Sequence, residues 1–253
     1  MKIYYQVPLS DRTKEVILGT LLGDGSLKKQ KNYKNVRLQF RHSEQDKEYF
    51  FWKADQLREI AGDKSVNLQK PDGYSKNNKL RFLSKALPAL TELYELTHTK
   101  NTLKIQRTWL NNMTPLSLAV WWCDDGSLIG EGGRKGVFCT DGFDKESVKI
   151  LAKYMDTVWH IHTKVAPIYR KRGDKNEQYW RLWIQSSEEL QKFLKIIIPH
   201  ISSKDMLRKV LLLYKDSQIQ QRWISEVASL SIFPESIIVA ELEKKKKRWK
   251  AFR

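Results

Sequence analysis

Ile17-Leu18-Gly19-Thr20-Leu21-Leu22-Gly23-Asp24-Gly25 is an apolar run of helical length that ends in a carboxylate followed by glycine. The pattern returns as Leu118-Ala119-Val120-Trp121-Trp122-Cys123-Asp124-Asp125-Gly126. Asp is disfavoured at a helix C-terminus, where the dipole is already negative, and a carboxylate is rarely buried without a partner. Two such endings in one chain predict a paired site. Gly25 and Gly126 suit a helix stop, where a positive φ is often wanted. Gly19 and Gly23 stand four apart, so they share one helix face and admit another backbone closely. Each costs about 1 kcal/mol against alanine inside a helix, so the bare face is expected to have a use.

Outward from the first motif, Ser10 or Asp11 caps the helix. The basic stretch Lys28–Asn35 reads as a hairpin tip, and Val36, Leu38 and Phe40 alternate with Arg37, Gln39 and Arg41. Period-two alternation predicts a strand with one buried face. Ser43–Asp46 opens a helix with the stripe Phe50, Ala54 and Leu57. Val66 and Leu68 are expected inward on a further strand, with Asn67 and Gln69 offset from them. Pro71-Asp72-Gly73 is a turn, and Lys79–Leu83 returns as a strand carrying Lys79 and Arg81 outward. A short helix at Leu87–Leu96 and a basic connection over 98–110 lead to Thr114-Pro115, which begins the second motif helix.

The second half repeats this order. Gly126–Gly136 reads as a glycine-rich loop, Asp144 as a helix cap, and Val165–Arg172 with Gln178–Gln185 as a hairpin around Gly173-Asp174. Helices are predicted at Ser187–Ile198 and at about Lys204–Tyr214. Asp24 to Glu44 is 20 residues and Asp125 to Asp144 is 19, while Asp24 to Arg81 is 57 and Asp125 to Arg181 is 56. The spacing predicts a duplicated α+β chain. One repeat covers 1–110 with its linker, the second covers 111–235, and a basic tail covers 236–253. The end of that tail, Glu243–Arg253, reads as a solvated helix or a free arm.

Lys and Arg number 46 against 29 Asp and Glu, a formal net charge of +17, and 41% of the 253 residues are hydrophobic. That composition supports a real core and excludes a disordered chain. The charge points to a polyanionic partner. A membrane surface fits less well, because no long basic amphipathic helix dominates. Cys123 and Cys139 read as small buried residues in a reducing compartment, with no C-x-x-C pair. No apolar run is long enough to span a membrane, and Met1–Tyr5 lacks signal-peptide character. The expectation is a soluble intracellular monomer, with bacterial cytoplasm and organelle both open. His160 and His162 read as a helix end rather than zinc ligands.

Two carboxylates at a close helix seam suit a divalent cation held by hard oxygens, Mg²⁺ first and Mn²⁺ as its substitute. Such ions assist phosphodiester hydrolysis. The outward strand donors Lys28, Lys29, Lys31, Arg37, Gln39, Arg41, Asn67, Gln69, Lys79 and Arg81 suit phosphates and base edges of double-stranded DNA. So do Arg134, Arg170, Arg172, Tyr179, Arg181, Trp183 and Gln185 in the second half.

Both motifs resemble the signatures of LAGLIDADG homing endonucleases of the single-chain, two-repeat type, and Thr114–Gly126 is especially similar to the second. The likeness covers roughly residues 10–215. It implies paired αββαββα units, with motif helices packed at a pseudo-twofold axis and saddle-shaped antiparallel sheets straddling the major groove. It implies that Asp24 and Asp125 are catalytic metal ligands, flanked at the metal by Gly23 and Asp124. It also implies an assisting lysine late in each repeat, Lys104 and Lys209 by local context; Gln106 stands where the family usually has proline. Val120 and Asp124 occupy the places of Gly19 and Gly23, so the seam is asymmetric, which fits an asymmetric target. The implied activity is a site-specific double-strand DNA cut by an intron-encoded, free-standing protein. An intron-RNA-binding splicing maturase is the alternative, and a DNA-binding regulator the third.

Overall fold

A computed structural model describes residues 6–71, 77–172 and 175–249. They divide into two compact units, Met1–Asp124 and Asp125–Arg253. The first unit opens with α1 (Asp11–Leu22), whose N-cap Ser10 accepts the backbone N–H of Thr13. Then follow β1 (Gly25–Lys28), β2 (Arg37–Ser43), α2 (Lys47–Gln56), β3 (Val66–Gln69), β4 (Lys79–Leu83) and α3 (Pro88–Thr97). A two-residue ladder, β5 (His98–Thr99) and β6 (Thr102–Leu103), the short α4 (Arg107–Leu110) and the motif helix α5 (Pro115–Asp125) complete it.

The antiparallel sheet runs β1-β2-β4-β3. Its alternating apolar positions Leu27, Leu38, Phe40 and Phe82 are buried against Phe50, Leu57, Leu90 and Leu93 of the helical layer. Val66 and Leu68 pair with the core-facing Phe82 and Leu80, yet they remain 41% and 52% exposed. They lie on an edge strand that the helices cover only in part, so correct facing does not become burial.

The bare face of α1 receives α5. A Cβ on Gly19 would lie 2.4 Å from the Ser117 carbonyl oxygen and 2.8 Å from the Val120 Cβ. A Cβ on Gly23 would lie 2.4 Å from the Asp124 Cβ. The two motifs therefore differ for a steric reason: the glycines of one are the holes for Val120 and Asp124 of the other. The sequence repeat begins at α5, but α5 through Asp124 packs with the first unit, and so the compact division falls after Asp124. The stop glycines act differently from expectation. Among described glycines, only Gly130, Gly132 and Gly133 have positive φ. Gly25 is instead required by crowding, since a Cβ there would meet Thr20 Cγ2 at 2.1 Å.

The second unit holds β7 (Gly126–Ile129), β8 (Lys135–Phe138), α6 (Lys145–Trp159), β9 (Lys164–Arg172), β10 (Lys175–Ile184) and α7 (Ser187–Ile197). Helices α8 (Ser217–Leu230) and α9 (Glu235–Lys246) follow. Its sheet order, β7-β8-β10-β9, repeats that of the first unit, so the duplication is visible in the topology. The expected loop at Gly126–Gly136 contains β7, because Leu128 and Ser127 pair with Gly136 and Val137. The expected helix at Lys204–Tyr214 is a 3₁₀ turn, Lys204–Lys209, followed by a non-helical stretch. There Leu211, Leu212 and Leu213 are all buried, and continuous burial needs no helical period. The turns read at 72–73 and 173–174 lie outside the described residues. No described helix is long and apolar enough to cross a membrane.

The basic tail is not simply solvated. Lys245 of α9 is buried, and its ammonium donates to the carbonyls of Arg208 at 2.8 Å and Leu211 at 2.6 Å. It thereby ties α9 to the 3₁₀ turn that carries Lys209. Burial, reinforced by the nearby Arg208, lowers its pKa to about 7.

Two stability measurements test this packing. Gly19→Ala gains about 1 kcal/mol of helix propensity but forces a methyl into the Ser117 carbonyl, and overpacking of this kind costs roughly 1–3 kcal/mol. The urea midpoint should fall rather than rise. For Lys245, the unfolded chain binds more protons than the folded one above pH 7, so stability should increase with pH, by up to about 1.4 kcal/mol per unit. Denaturation between pH 7 and 9 should show this slope in the parent protein and a flatter one in Lys245→Met.

Candidate functional site

Asp24 immediately follows the last turn of α1, and its side chain is 40% exposed. Beneath it stands His42, on the core face of β2, with Nδ1 3.5 Å from Asp24 Oδ2 and Nε2 3.7 Å from Asp124 Oδ1. The imidazole is fixed between the rings of Phe40 and Tyr49, at centroid distances of 5.5 and 5.1 Å. One donor atom from each of Asp24, His42 and Asp124 falls within 4.8 Å of the others.

Asp124 has no exposed side-chain surface and is densely hydrogen-bonded. Lys53 Nζ, equally buried, donates to its Oδ1 at 2.9 Å and to Oδ2 at 2.7 Å. Tyr49 donates its hydroxyl to Oδ1 at 2.8 Å, and the backbone N–H of Asp24 donates to Oδ2 at 3.3 Å. Lys53 Nζ also lies 4.5 Å from the centre of the Phe40 ring. Burial first, then the Asp124 charge, pushes the Tyr49 hydroxyl well above its usual range, so it stays a donor. The Asp124 carboxylate is thus already matched by an ammonium, whereas the Asp24 carboxylate faces solvent. A half-exposed carboxylate offers the hard oxygen that Mg²⁺ or Mn²⁺ takes, with room for waters. His42 supplies a borderline donor beside it that Mn²⁺ tolerates better.

Sequence reading found Asp24, Gly23 and Asp124 but missed His42, Tyr49 and Lys53. The signals were present. His42 occupies the next core-facing place after Leu38 and Phe40, and Lys53 stands three residues after Phe50 on the apolar stripe of α2. An ionisable group on a core face signals a buried partner.

Away from the core, the same sheet presents polar cross-strand rows. Lys28 is opposite Arg37, Ser26 opposite Gln39, and Arg41 opposite Arg81. Asn67 is opposite Arg81 and Gln69 opposite Lys79. Asp24, Ser26, Gln39, Arg41, Ser43 and Lys79 line one concavity. Lys28, Lys29 and Lys31 are exposed beside it. Arg37 is partly committed, donating from Nε to the Ser84 carbonyl at 2.8 Å. Lys104 is exposed, on a backbone fixed by the Thr97 carbonyl at 2.8 Å and by the Trp109 indole at 2.7 Å.

In the second unit the Asp125 carbonyl accepts the Cys139 N–H at 3.0 Å. Burial raises the Cys139 thiol pKa, and the charges of Arg181, Asp125, Asp141 and Lys209 all act on it. Arg181, expected as an open donor, is 13% exposed and paired: Nε and Nη2 reach the two oxygens of Asp141 at 2.7 and 2.8 Å. Arg170 joins the same carboxylate at 3.2 Å. The Arg181 hydrogen bond holds the Asp141 carboxyl below the usual range, and Asp141 was not anticipated.

Trp183 pairs with Lys164, and both line a concavity with His162 and Gln185. Tyr179 lies opposite Ile168. Arg134 sits near Glu131 and 5.9 Å from the centre of the Tyr214 ring. The Arg172 side chain is outside the described residues. His160 ends α6 in the left-handed conformation, as a helix end should.

Residues 14–193 match the sequence model of the LAGLIDADG DNA endonuclease family. "Protein RecA" of Mycobacterium gastri is 33% identical over 209 residues, which are 77% of this chain and 46% of that protein. The chain thus spans about half the length of that relative. "Cytochrome b mRNA maturase bI2" of Debaryomyces hansenii is 26% identical over 208 residues, covering 80% of this chain and 76% of that one. Among solved structures, the homing endonuclease I-WcaI bound to its DNA recognition sequence has the same fold, with a TM-score of 0.67 at 22% identity, over 81% of this chain and 88% of that one. With two acid-terminated motif helices, two sheets of identical strand order and a family match over most of its length, the chain belongs to the LAGLIDADG DNA endonuclease family.

Proposed function

We propose that the protein is a monomeric, intron-encoded homing endonuclease that makes a divalent-metal-dependent double-strand cut at a long, asymmetric DNA target. The observation that carries this reading is the Asp24 carboxylate, half-exposed beside His42 in a concavity also lined by Ser26, Gln39, Phe40, Arg41, Ser43, Asp46 and Lys79. An anionic oxygen at the foot of a basic sheet face suits a cation shared with phosphate. Asp24 and Asp125 are each proposed as a cation ligand, with the backbone at Gly23 and Asp124 beside them. When bound, Mg²⁺ or Mn²⁺ lowers the pKa of water and offsets charge on the leaving oxygen.

The chain's own groups would do the remainder. The rows headed by Arg41, Arg81 and Lys79 fix the duplex against the sheet, and Lys104 and Lys209 counter charge on the phosphate. The repeats are taken as 1–110 and 111–235, with 236–253 as the tail. Cys123 and Cys139, neither in a disulfide, fit action in a reducing intracellular compartment. A second reading is an intron-RNA-binding maturase on the same scaffold. It draws on the likeness to maturase bI2, which spans most of both chains.

Asp24→Asn should abolish cutting of at least one strand while binding in Ca²⁺ persists; full cleavage by that variant would refute the metal role. Splicing of intron RNA stimulated by the same variant would favour the maturase. On the sheet, Arg41→Ala and Arg81→Ala should relax base preference at single positions by roughly 1–3 kcal/mol. Lys29→Ala and Lys31→Ala should weaken binding evenly and lower the salt slope by about one each. Equal salt-only effects from all four would reduce the arginines to phosphate contacts.

A further inference from the structure

We propose that Lys53 is a positioning residue for Asp24, acting through Asp124. The inference rests on the endonuclease reading above for its kinetic consequence, but not for its geometry. Lys53 reaches both oxygens of a carboxylate that is fully buried, as it is itself. That carboxylate accepts the backbone N–H of Asp24 at 3.3 Å through Oδ2, the oxygen closer to Lys53. Tyr49 holds the other oxygen at 2.8 Å, and Gly23 leaves room for the Asp124 Cβ, which a Cβ there would meet at 2.4 Å.

The chain leaving α1 is therefore held by a side chain of α5 that is itself fixed from α2. Three elements meet at one carboxylate, and the residue whose direction they fix is Asp24. A buried pair of this kind is weak evidence for stability, because apolar replacements of similar volume are often neutral. Specific geometry is what such a pair can supply, and a carboxylate that must offer its oxygen at a fixed place needs it. Lys53 also matches the Asp124 charge internally, while the Asp24 side chain is 40% exposed.

The pair can be replaced in two ways that separate geometry from fold. Lys53→Met/Asp124→Leu removes both charges and the acceptor for the Asp24 N–H. Lys53→Met/Asp124→Asn removes both charges and keeps an acceptor. Both variants are compared with the parent protein by thermal unfolding, by duplex binding in Ca²⁺, by single-turnover cleavage in Mg²⁺, and by hydrogen exchange of the 21–25 segment. The expected result is unchanged duplex binding, with cleavage lowered ~10²-fold in the Leu variant, the scale of an ångström-sized misplacement, and by less than about tenfold in the Asn variant. The Asp24 amide should be protected in the parent and Asn proteins and exchange freely in the Leu variant. Cleavage by the Leu variant at the parent rate, or an equal loss in both variants, overturns the proposal. If the Leu variant does not fold, the parent and Asn proteins decide: an unprotected Asp24 amide in the parent, or an Asn variant that folds and binds but loses as much as ~10²-fold, overturns it. A parent protein that cuts no duplex would count against the endonuclease reading, and the exchange measurement would still test the positioning.

Discussion

The close approach of α5 to the glycine face of α1 is the constraint on which the first unit depends. With Gly19 beneath the Ser117 carbonyl and Gly23 beneath the Asp124 Cβ, no α1 side chain separates the two helices at these points. Helices in this contact have little freedom to slide or rotate, because interiors are close-packed and resist displacement. The direction in which the chain leaves α1, and so the position of Asp24, follows from that contact. The polar network around Asp124 adds direction to what the packing makes rigid. Tyr49, Lys53 and the Asp24 amide all donate to one carboxylate, and a buried network of this type specifies a single arrangement only when its members are satisfied.

The two repeats keep one topology and solve their charge problem differently. In the first unit an ammonium from α2 matches the buried acid, and Asp24 is left toward solvent. In the second, the backbone carbonyl of Asp125 accepts the Cys139 N–H, and an acid off the motif helix holds the cations. There Asp141 binds two arginines from β9 and β10 at once. A carboxylate that orients guanidinium groups lets them meet a planar or anionic ligand with less ordering left to do. Under the proposed function, two halves so differently charged would contact unlike stretches of the duplex, while each retains an acid at the end of its motif helix.

Much of this was readable in the residues because local pattern and fold agree. The alternation of Val36, Leu38 and Phe40 with Arg37, Gln39 and Arg41 became β2 with its polar face outward. Asp144 capped α6, and the near-equal spacings from each acid to Arg81 and Arg181 became two sheets of one strand order. The failures share a cause: tertiary contacts that leave no local periodicity. Lys245 lies in a run of lysines, and nothing in Lys244–Lys247 says which one enters the core. Leu211–Leu213 is equally apolar whether it coils as a helix or is buried as extended chain. Gly25 suggested a positive φ, but its reason is Thr20, which only the packed structure brings within reach. Lys53 and His42 were legible as polar residues on apolar faces, but their partner is 71 and 82 residues away in the chain.

Under the proposed function, the Asp24 carboxylate must work beside a polyanion. A phosphate backbone approaching a free acid raises its pKa and repels it. Three features oppose this. Lys53 pairs with Asp124, so the buried acid beside Asp24 is matched by an ammonium. Arg41, Arg81 and Lys79 stand on the sheet face along which a duplex would lie, at strand positions fixed by pairing. The +17 formal charge of the whole chain sets a background field that attracts a polyanion. Under the proposed metal role, a divalent ion would be shared between phosphate oxygen and the Asp24 carboxylate, in the concavity that Arg41 and Lys79 also line. On this account the basic composition and the acidic motif are two parts of one electrostatic design, and neither would serve without the other.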